Sequence, residues 1–431
     1  MTPRYGEDEV AELCRDLIRI DSVNAGDNAG PGEREAAEYV AGKLSEVGLE
    51  PRILESDRGR ANVVARVEGT DPSRDALVLH GHLDVVPFDA ADWTHHPLSG
   101  EIADGCVWGR GAVDMKDMDA MILAVVRRRL SEGRRPPRDV VLVFTADEEA
   151  GGHYGAQWLA GRHPEVFEGC TEAIGEVGGF SVTTEKGRLY LIEAAEKGIA
   201  WMRLTAKGRA GHGSMLNDDN AVTELAEAVG RLGRHKWPVR LTPTVQAFFE
   251  EVFGTEVKAE DAEAAVATLG PLARMIGATL RNTTNPTMLQ AGYKANVIPQ
   301  IATAHVDGRF LPGYEDEFFQ TVDELLGPNV TREFVYHDVA VETPFKGPLV
   351  KAMADALQEE DPGSRAVPYT LSGGTDLKAF SRLGISGYGF APLRLPEDLD
   401  FSGMFHGVDE RVPVDSLRFG VRVLDRFLEY C

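Results

Sequence analysis

Apolar and polar positions along the chain fall into two textures. From about Asp8 to Ile20, and from Gly32 to Glu46 before Gly48, apolar residues recur at helical spacing. Asn62–Val67 and Ala76–His80 read as strands, the second of them buried on both faces. Asp117–Arg129 is helical, with Met121 and Val125, and Ile122 and Val126, on related faces. Asp139–Thr145 contains the β-rich run VVLVF, Gly155–Leu159 opens a helix, and Ala173–Ile174 ends a strand before Gly175. Strands separated by helices predict a largely parallel sheet covered on both faces.

From about Lys197 the texture changes. Trp201–Ala206 and Ile301–Phe310 read as strands with one open face, and Asn220–Leu232 and Glu315–Leu326 as helices. That order predicts a β-α-β-β-α-β insert. From about Phe334 the first texture returns, with a helix at Leu349–Glu359, a strand at Ile385–Phe390 and a closing helix at Val414–Glu429. The expectation is an α/β catalytic domain over 1–196 and 330–431, its mostly parallel sheet flanked by helices. An α+β lid or dimerisation domain over 197–329 is inserted into it. No internal repeat or low-complexity tract interrupts the pattern.

A chain of 431 residues is too long for one ordinary core, which agrees with two domains. Its net charge of −24 argues against nucleic acid and anionic membrane surfaces as partners. Cys14, Cys106, Cys170 and Cys431 are scattered without a CxxC pair, so neither a disulfide framework nor a thiolate zinc site is indicated. Met1 to Glu12 is charged, and no run approaches the roughly 20 apolar residues that span a bilayer. The cytoplasm is the expected compartment.

The chemistry clusters behind the predicted strands. His82-Leu83-Asp84 follows one, Glu148-Glu149 another and Glu176 a third, and Asp114 precedes a helix. Ligand sites of open α/β sheets form beyond the carboxyl ends of the strands, so these motifs are expected to meet at one edge. Asp84, Asp114, Glu148, Glu149 and Glu176 together would crowd five carboxylates, which demands raised proton affinities or cations. Histidine plus carboxylate suits zinc, and several carboxylates allow two metals with one bridging. Asp84 is placed to orient His82, and His406 can complete the set.

Taken singly, each signal has a plainer explanation: a helix N-cap for Asp114, a solvated turn for Glu148-Glu149. His80, His95, His96, His153, His163, His235, His305 and His337 read as ordinary core or surface histidines. Other chemistries fit worse, since HExxH, GxSxG and Walker motifs are missing from the sequence. A glycosidase carboxylate pair would have no use for His82, His406 and Asp114.

The ordered set HGHLDVVP, GRGAVDMK, TADEEAGG, IGEVGG and FHGVDE resembles the co-catalytic zinc metallopeptidase family. That family includes aminoacylase, acetylornithine deacetylase, succinyl-diaminopimelate desuccinylase and glutamate carboxypeptidases. The resemblance runs from LIRIDSVN near the N-terminus to His406. It implies two zinc ions, with cobalt or manganese as alternatives. His82 and Glu176 are implied as ligands of one, Glu149 and His406 of the other, with Asp114 bridging and the Asp114–Met115 peptide cis. Glu148 is implied as the general base, taking a proton from a water shared by the metals and passing it to the leaving nitrogen.

In the lid, His212 of GRAGHGSM matches the histidine that stabilises the oxyanion, often across a dimer interface. Asn296 and Arg309 match positions that grip the substrate carboxylate, with Lys197 assisting. Ser372 to Asp376 resembles a glycine-rich substrate loop, where Gly374 and Thr375 would meet the substrate. Lid closure is expected to assemble the site, and a homodimer through the lid is expected. The long segment between Asn220 and Asn282, with its acidic stretch Glu256–Ala264, departs from the family pattern. Glutamate at position 176 leans toward the carboxypeptidase, aminoacylase and desuccinylase members. The expected activity is hydrolysis of the amide bond of N-acyl amino acids or short peptides bearing a free carboxylate. A carboxypeptidase or dipeptidase acting on short peptides, and a non-catalytic metal or amino-acid binding protein, are the alternatives.

Overall fold

The computed structural model describes residues 6–26, 28–184, 187–270 and 272–431. Residues 1–5 of the charged stretch Met1–Glu12 lie outside them. The chain divides into two compact units. The first comprises Met1–Glu193, Phe345–Pro368 and Thr375–Cys431, and the second Ala194–Pro344 and Tyr369–Gly374.

The first unit is mixed α/β. Its sheet runs in the order Arg52–Asp57, Arg60–Val67, Val140–Thr145, Ala76–His82, Cys170–Gly175, Ser386–Gly389. The first two strands form an antiparallel hairpin, and Arg60–Val67 pairs antiparallel with Val140–Thr145. From there inward the pairing is parallel. Every residue of Ala76–His82 and Val140–Thr145 is buried. Strands so placed read as continuous apolar runs because helices cover both faces.

On one face the helices Val10–Arg19, Lys116–Ser131 and Val414–Tyr430 pack against one another. On the other, Ala156, Leu159, Leu377 and Phe380 join Val78, Val141 and Val143 in one apolar cluster. The strand expected at Ala76–His80 continues to His82, so the candidate ligand is itself the last strand residue.

In the second unit four antiparallel strands lie in the order Thr283–Ala291, Ile301–Phe310, Gly198–Lys207, Val330–Asp338. Helices Ala221–Arg234 and Glu315–Leu326 cover one face, where Met202, Leu204, Leu225, Leu232, Phe310, Phe318 and Val322 form the core. Burial alternates along Ile301–Phe310, as a sheet with one covered face requires. The chain order is β-α-β-β-α-β, with the short helices Pro243–Phe253, Ala262–Ala267 and Leu272–Gly277 added after the first long one.

The expected insert ended at residue 329, whereas the second unit continues to Pro344. The cause is the ladder of Val330–Asp338 against Gly198–Lys207, which commits the segment around Phe334 to this sheet. No helix among the described residues is long and apolar enough to cross a membrane.

Candidate metal centre

Three parallel strands end at the same edge of the first unit's sheet. His82 closes Ala76–His82, Glu148 and Glu149 follow Val140–Thr145 in a single helical turn, and Glu176 follows Cys170–Gly175. Asp114 lies just before the helix Lys116–Ser131, behind a cis Asp114–Met115 peptide. It caps nothing: Met115 is the N-cap residue, without a side-chain cap bond. His406 comes from the loop ahead of Arg411–Pro413 and holds a left-handed backbone with φ 57°.

These side chains converge. His82 Nε2 lies 3.1 Å from Asp114 Oδ1 and 3.4 Å from Glu176 Oε2. His406 Nε2 lies 3.2 Å from Asp114 Oδ2 and 3.0 Å from Glu149 Oε2. Asp114 therefore turns one oxygen to each histidine. Two donor groups result, one of His82, Asp114 and Glu176, the other of Asp114, Glu149 and His406. Within each, the candidate ligand atoms lie within 4.8 Å of one another. The Oε1 atoms of Glu149 and Glu176 are buried without a hydrogen-bond partner. Imidazole nitrogens and carboxylate oxygens at this spacing, with acceptors left over, fit a pair of divalent cations sharing Asp114.

The proton affinities point the same way. Burial, reinforced by the charges of Asp114 and Glu149, pushes Glu176 up to about 8 against the pull of His82. Burial and the Asp114 charge push Glu149 up to about 7. Glu148 is driven well above the usual carboxylate range by burial and then by Glu176. Burial also raises Asp114, but hydrogen bonds from His406 and His82 outweigh it and hold the carboxyl below its usual range. His406, hydrogen-bonded to Asp114 and Glu149, rises to about 10. Left to protons alone the cluster must hold several, and cations would take their place.

Asp84 serves the site in an additional way. His82 Nδ1 is 3.1 Å from the Asp84 carbonyl oxygen but 3.6 Å from the carboxylate, too long for a hydrogen bond. The carboxylate accepts the backbone N–H groups of Glu148 at 3.0 Å and Glu149 at 3.1 Å. Asp84 thus meets His82 through its backbone and the two glutamates through its side chain.

The other expected residues are distributed as follows. Thr375 belongs to the first unit, where its Oγ1 accepts Leu377 N at 3.1 Å. His212, Asn296, Arg309, Lys197 and Gly374 belong to the second. His212 is exposed, its Nδ1 2.8 Å from Ser214 Oγ. It pairs with Val297, and Gly213 N donates to Asn296 O at 2.9 Å, so His212 and Asn296 are neighbours. Arg309 donates to both oxygens of Asp307, at 2.7 and 3.2 Å, and its guanidinium lies 6.0 Å from the Trp201 ring. Lys197 is buried and donates to the carbonyls of Ala278 at 3.1 Å and Arg281 at 2.8 Å.

A buried polar shell to which no sequence motif assigns a role lies beside the candidate ligands. His80, read as an ordinary histidine, has Nε2 at 3.0 Å from Thr145 Oγ1 and 3.1 Å from Asp376 Oδ2. The available signal was spacing: on a strand, His80 and His82 share a face. Asn24 and Asp147, both buried beside Asp84, stand in the LIRIDSVN and TADEEAGG strings, but neither string assigns them a role.

The model of peptidase family M20/M25/M40 matches residues 78–430. Pig (Sus scrofa) aminoacylase-1 is 26% identical over 441 residues, covering 99% of this chain and 96% of its own. Among solved structures, an M20 family metallo-carboxypeptidase from Sulfolobus solfataricus superposes with a TM-score of 0.74 at 19% identity, over 98% of this chain and 99% of that one. The di-peptidase Dug1p from Saccharomyces cerevisiae gives 0.73 at 16%, over 98% and 96%. Both structures share the fold.

Proposed function

Because the chain belongs to peptidase family M20/M25/M40 and is a metal-dependent amidohydrolase or peptidase, we propose that it hydrolyses the amide bond of N-acyl amino acids or short peptides bearing a free carboxylate. Two zinc ions are the proposed cofactor, with cobalt or manganese also accommodated by nitrogen and oxygen donors. The observation that carries this reading is the Asp114 carboxylate, whose two oxygens face two separate histidine–carboxylate pairs.

His82, Asp114 and Glu176 would hold one cation, and Asp114, Glu149 and His406 the other. When bound, the pair supplies Lewis acidity, making water a nucleophile near neutral pH and polarising the scissile carbonyl. Glu148 is left as the free carboxylate. Its Oε2 lies 4.0 Å from His82 Nε2, and the Asp84 bond to its backbone fixes the main chain that carries it. It accepts the proton of the attacking water and hands it to the leaving nitrogen. Asp84 orients His82 and the glutamate turn together. His212 donates to the developing oxyanion.

Arg309, with Asn296, binds the substrate carboxylate, and its planar fork already shows that geometry with Asp307. Lys197 assists by bracing the backbone at Ala278 and Arg281. Gly374 and Thr375 offer backbone N–H groups to the substrate. The likeness to aminoacylase-1 over nearly the whole of both chains favours N-acyl amino acids. The folds shared with a carboxypeptidase and a dipeptidase keep short peptides as the second reading. We place the enzyme in the cytoplasm, as four unpaired cysteines suit a reducing compartment, and as a homodimer through its second unit.

The test joins metal content and turnover. Purified protein is analysed for zinc and assayed on N-acetyl amino acids, N-succinyl amino acids and dipeptides. Zinc at about two per chain with cleavage of one class supports the reading. Protein that neither retains metal nor cleaves any of them overturns it in favour of a binding role.

A further inference from the structure

The turn that carries Glu148 and Glu149 hangs from one buried amide. Asn24 is only 3% exposed. Its Nδ2 donates one N–H to Asp84 Oδ2 at 2.9 Å and the other to Asp147 Oδ1 at 3.0 Å. Its Oδ1 accepts from Gly26 N at 3.1 Å and from Arg60 Nη2 at 3.2 Å. A primary amide offers two donors and an oxygen with two lone pairs, so every capacity of Asn24 is used. Arg60 is fixed in turn by Glu33 and by Asn28 Oδ1.

The two carboxylates joined by this amide are the ones that shape the turn. Asp84 accepts the backbone N–H groups of Glu148 and Glu149. Asp147, the residue before them, holds a left-handed backbone with φ 66°. Its Oδ2 accepts Tyr154 N at 3.1 Å, and its carbonyl accepts Gly152 N at 2.6 Å. Asp84 and Asp147 are both buried. Two buried carboxylates repel at close range, and an N–H to each offsets that repulsion without adding charge.

We propose that Asn24 is a positioning residue of the reaction: by tying Asp84 to Asp147 it fixes where Glu148 and Glu149 present their carboxyl groups. The inference rests on the reading of Glu148 as base and Glu149 as ligand. Asn24 itself bonds neither of them. Aspartate at position 24 would bring acceptors where donors are required and set a third carboxylate against two. Alanine would remove one donor from each.

The experiment uses full-length N24A, N24D, D147N and the double variant N24D/D147N. Zinc affinity is read by competition with a chromophoric chelator, kcat and KM on the substrate found by the panel, and folding by thermal unfolding. N24A and N24D are expected to weaken zinc binding and lower kcat by about ten- to a hundred-fold, with KM little changed. The double variant should recover part of the N24D loss, because the amide then sits at position 147 and donates the other way. Should N24D fail to fold, N24S carries the same comparison against wild type. The zinc arm needs no substrate, so it stays readable even if Glu148 proves not to be the base. Wild-type zinc affinity and kcat in a folded N24A protein would overturn the proposal. So would losses that only track the folded fraction, or a double variant no better than N24D.

Discussion

Asp84 Oδ1 accepts the backbone N–H of Glu148 at 3.0 Å, so a residue at one strand end sets the position of the proposed base at the next. The side chain of Glu148 is thereby free while its main chain is fixed. A proton shuttle needs that combination, because a carboxylate that ligates a cation cannot also carry protons between water and the leaving group.

Replacing Glu148 by alanine should leave zinc content unchanged and lower kcat by about a hundred- to ten-thousand-fold. Metal analysis and steady-state kinetics on one preparation check both halves. Loss of metal in this variant would make Glu148 a ligand instead.

Asp114 should be the residue on which both cations depend. Asp114→Ala is expected to release both, whereas His406→Ala should release one and spare the group of His82 and Glu176. Zinc stoichiometry after dialysis separates the two patterns. A bound ion stabilises the native state by mass action, about 2.7 kcal/mol at a hundred times its dissociation constant. Chelation should therefore lower the Tm.

Metal-free protein should lose stability as pH rises from the ordinary carboxylate range through about 8. Glu149 at about 7 and Glu176 at about 8 hold their protons more tightly in the folded state than in the unfolded chain. The native state then binds more protons, and stability falls with pH. His406, raised to about 10, acts with the same sign. Asp114, whose proton affinity is lowered, acts with the opposite sign, but only at acid pH. Thermal unfolding across pH 5 to 9, roughly the span between the folded and unfolded affinities, should slope downward without metal and flatten with zinc.

His212→Ala should cost turnover about a hundred- to a thousand-fold at unchanged zinc content. Equal kcat in the variant would remove His212 from the chemistry.

Arg309→Ala should chiefly raise KM for carboxylate-bearing substrates, by about ten- to a hundred-fold, the loss of a hydrogen bond to a charged group. The matching carboxamide substrate is the control: a KM that rises as much there would contradict the clamp.

Much of this was written in local pattern. The apolar run Ala76–His80 and the VVLVF run announce buried parallel strands because a strand covered on both faces cannot alternate. Motifs placed just after such runs must meet, since parallel strands end on the same side. That is why His82, Glu148, Glu149 and Glu176 were legible together. The strand Val330–Asp338 was not, because its membership of the second sheet depends on pairing with Gly198–Lys207, far away in the chain.

By itself, then, the sequence determined the α/β class, the alternating insert and the residues that converge in the candidate metal centre, because these follow from period, spacing and side-chain chemistry. Only the tertiary structure decided how they are shared out. It gave one oxygen of Asp114 to each histidine, put the Asp84 carboxylate on the backbone of the glutamates, and placed Asn24 between two buried carboxylates. Such assignments depend on distances between residues remote in the chain, and a hydrogen bond forms only where folding brings a donor within about 3 Å of an acceptor.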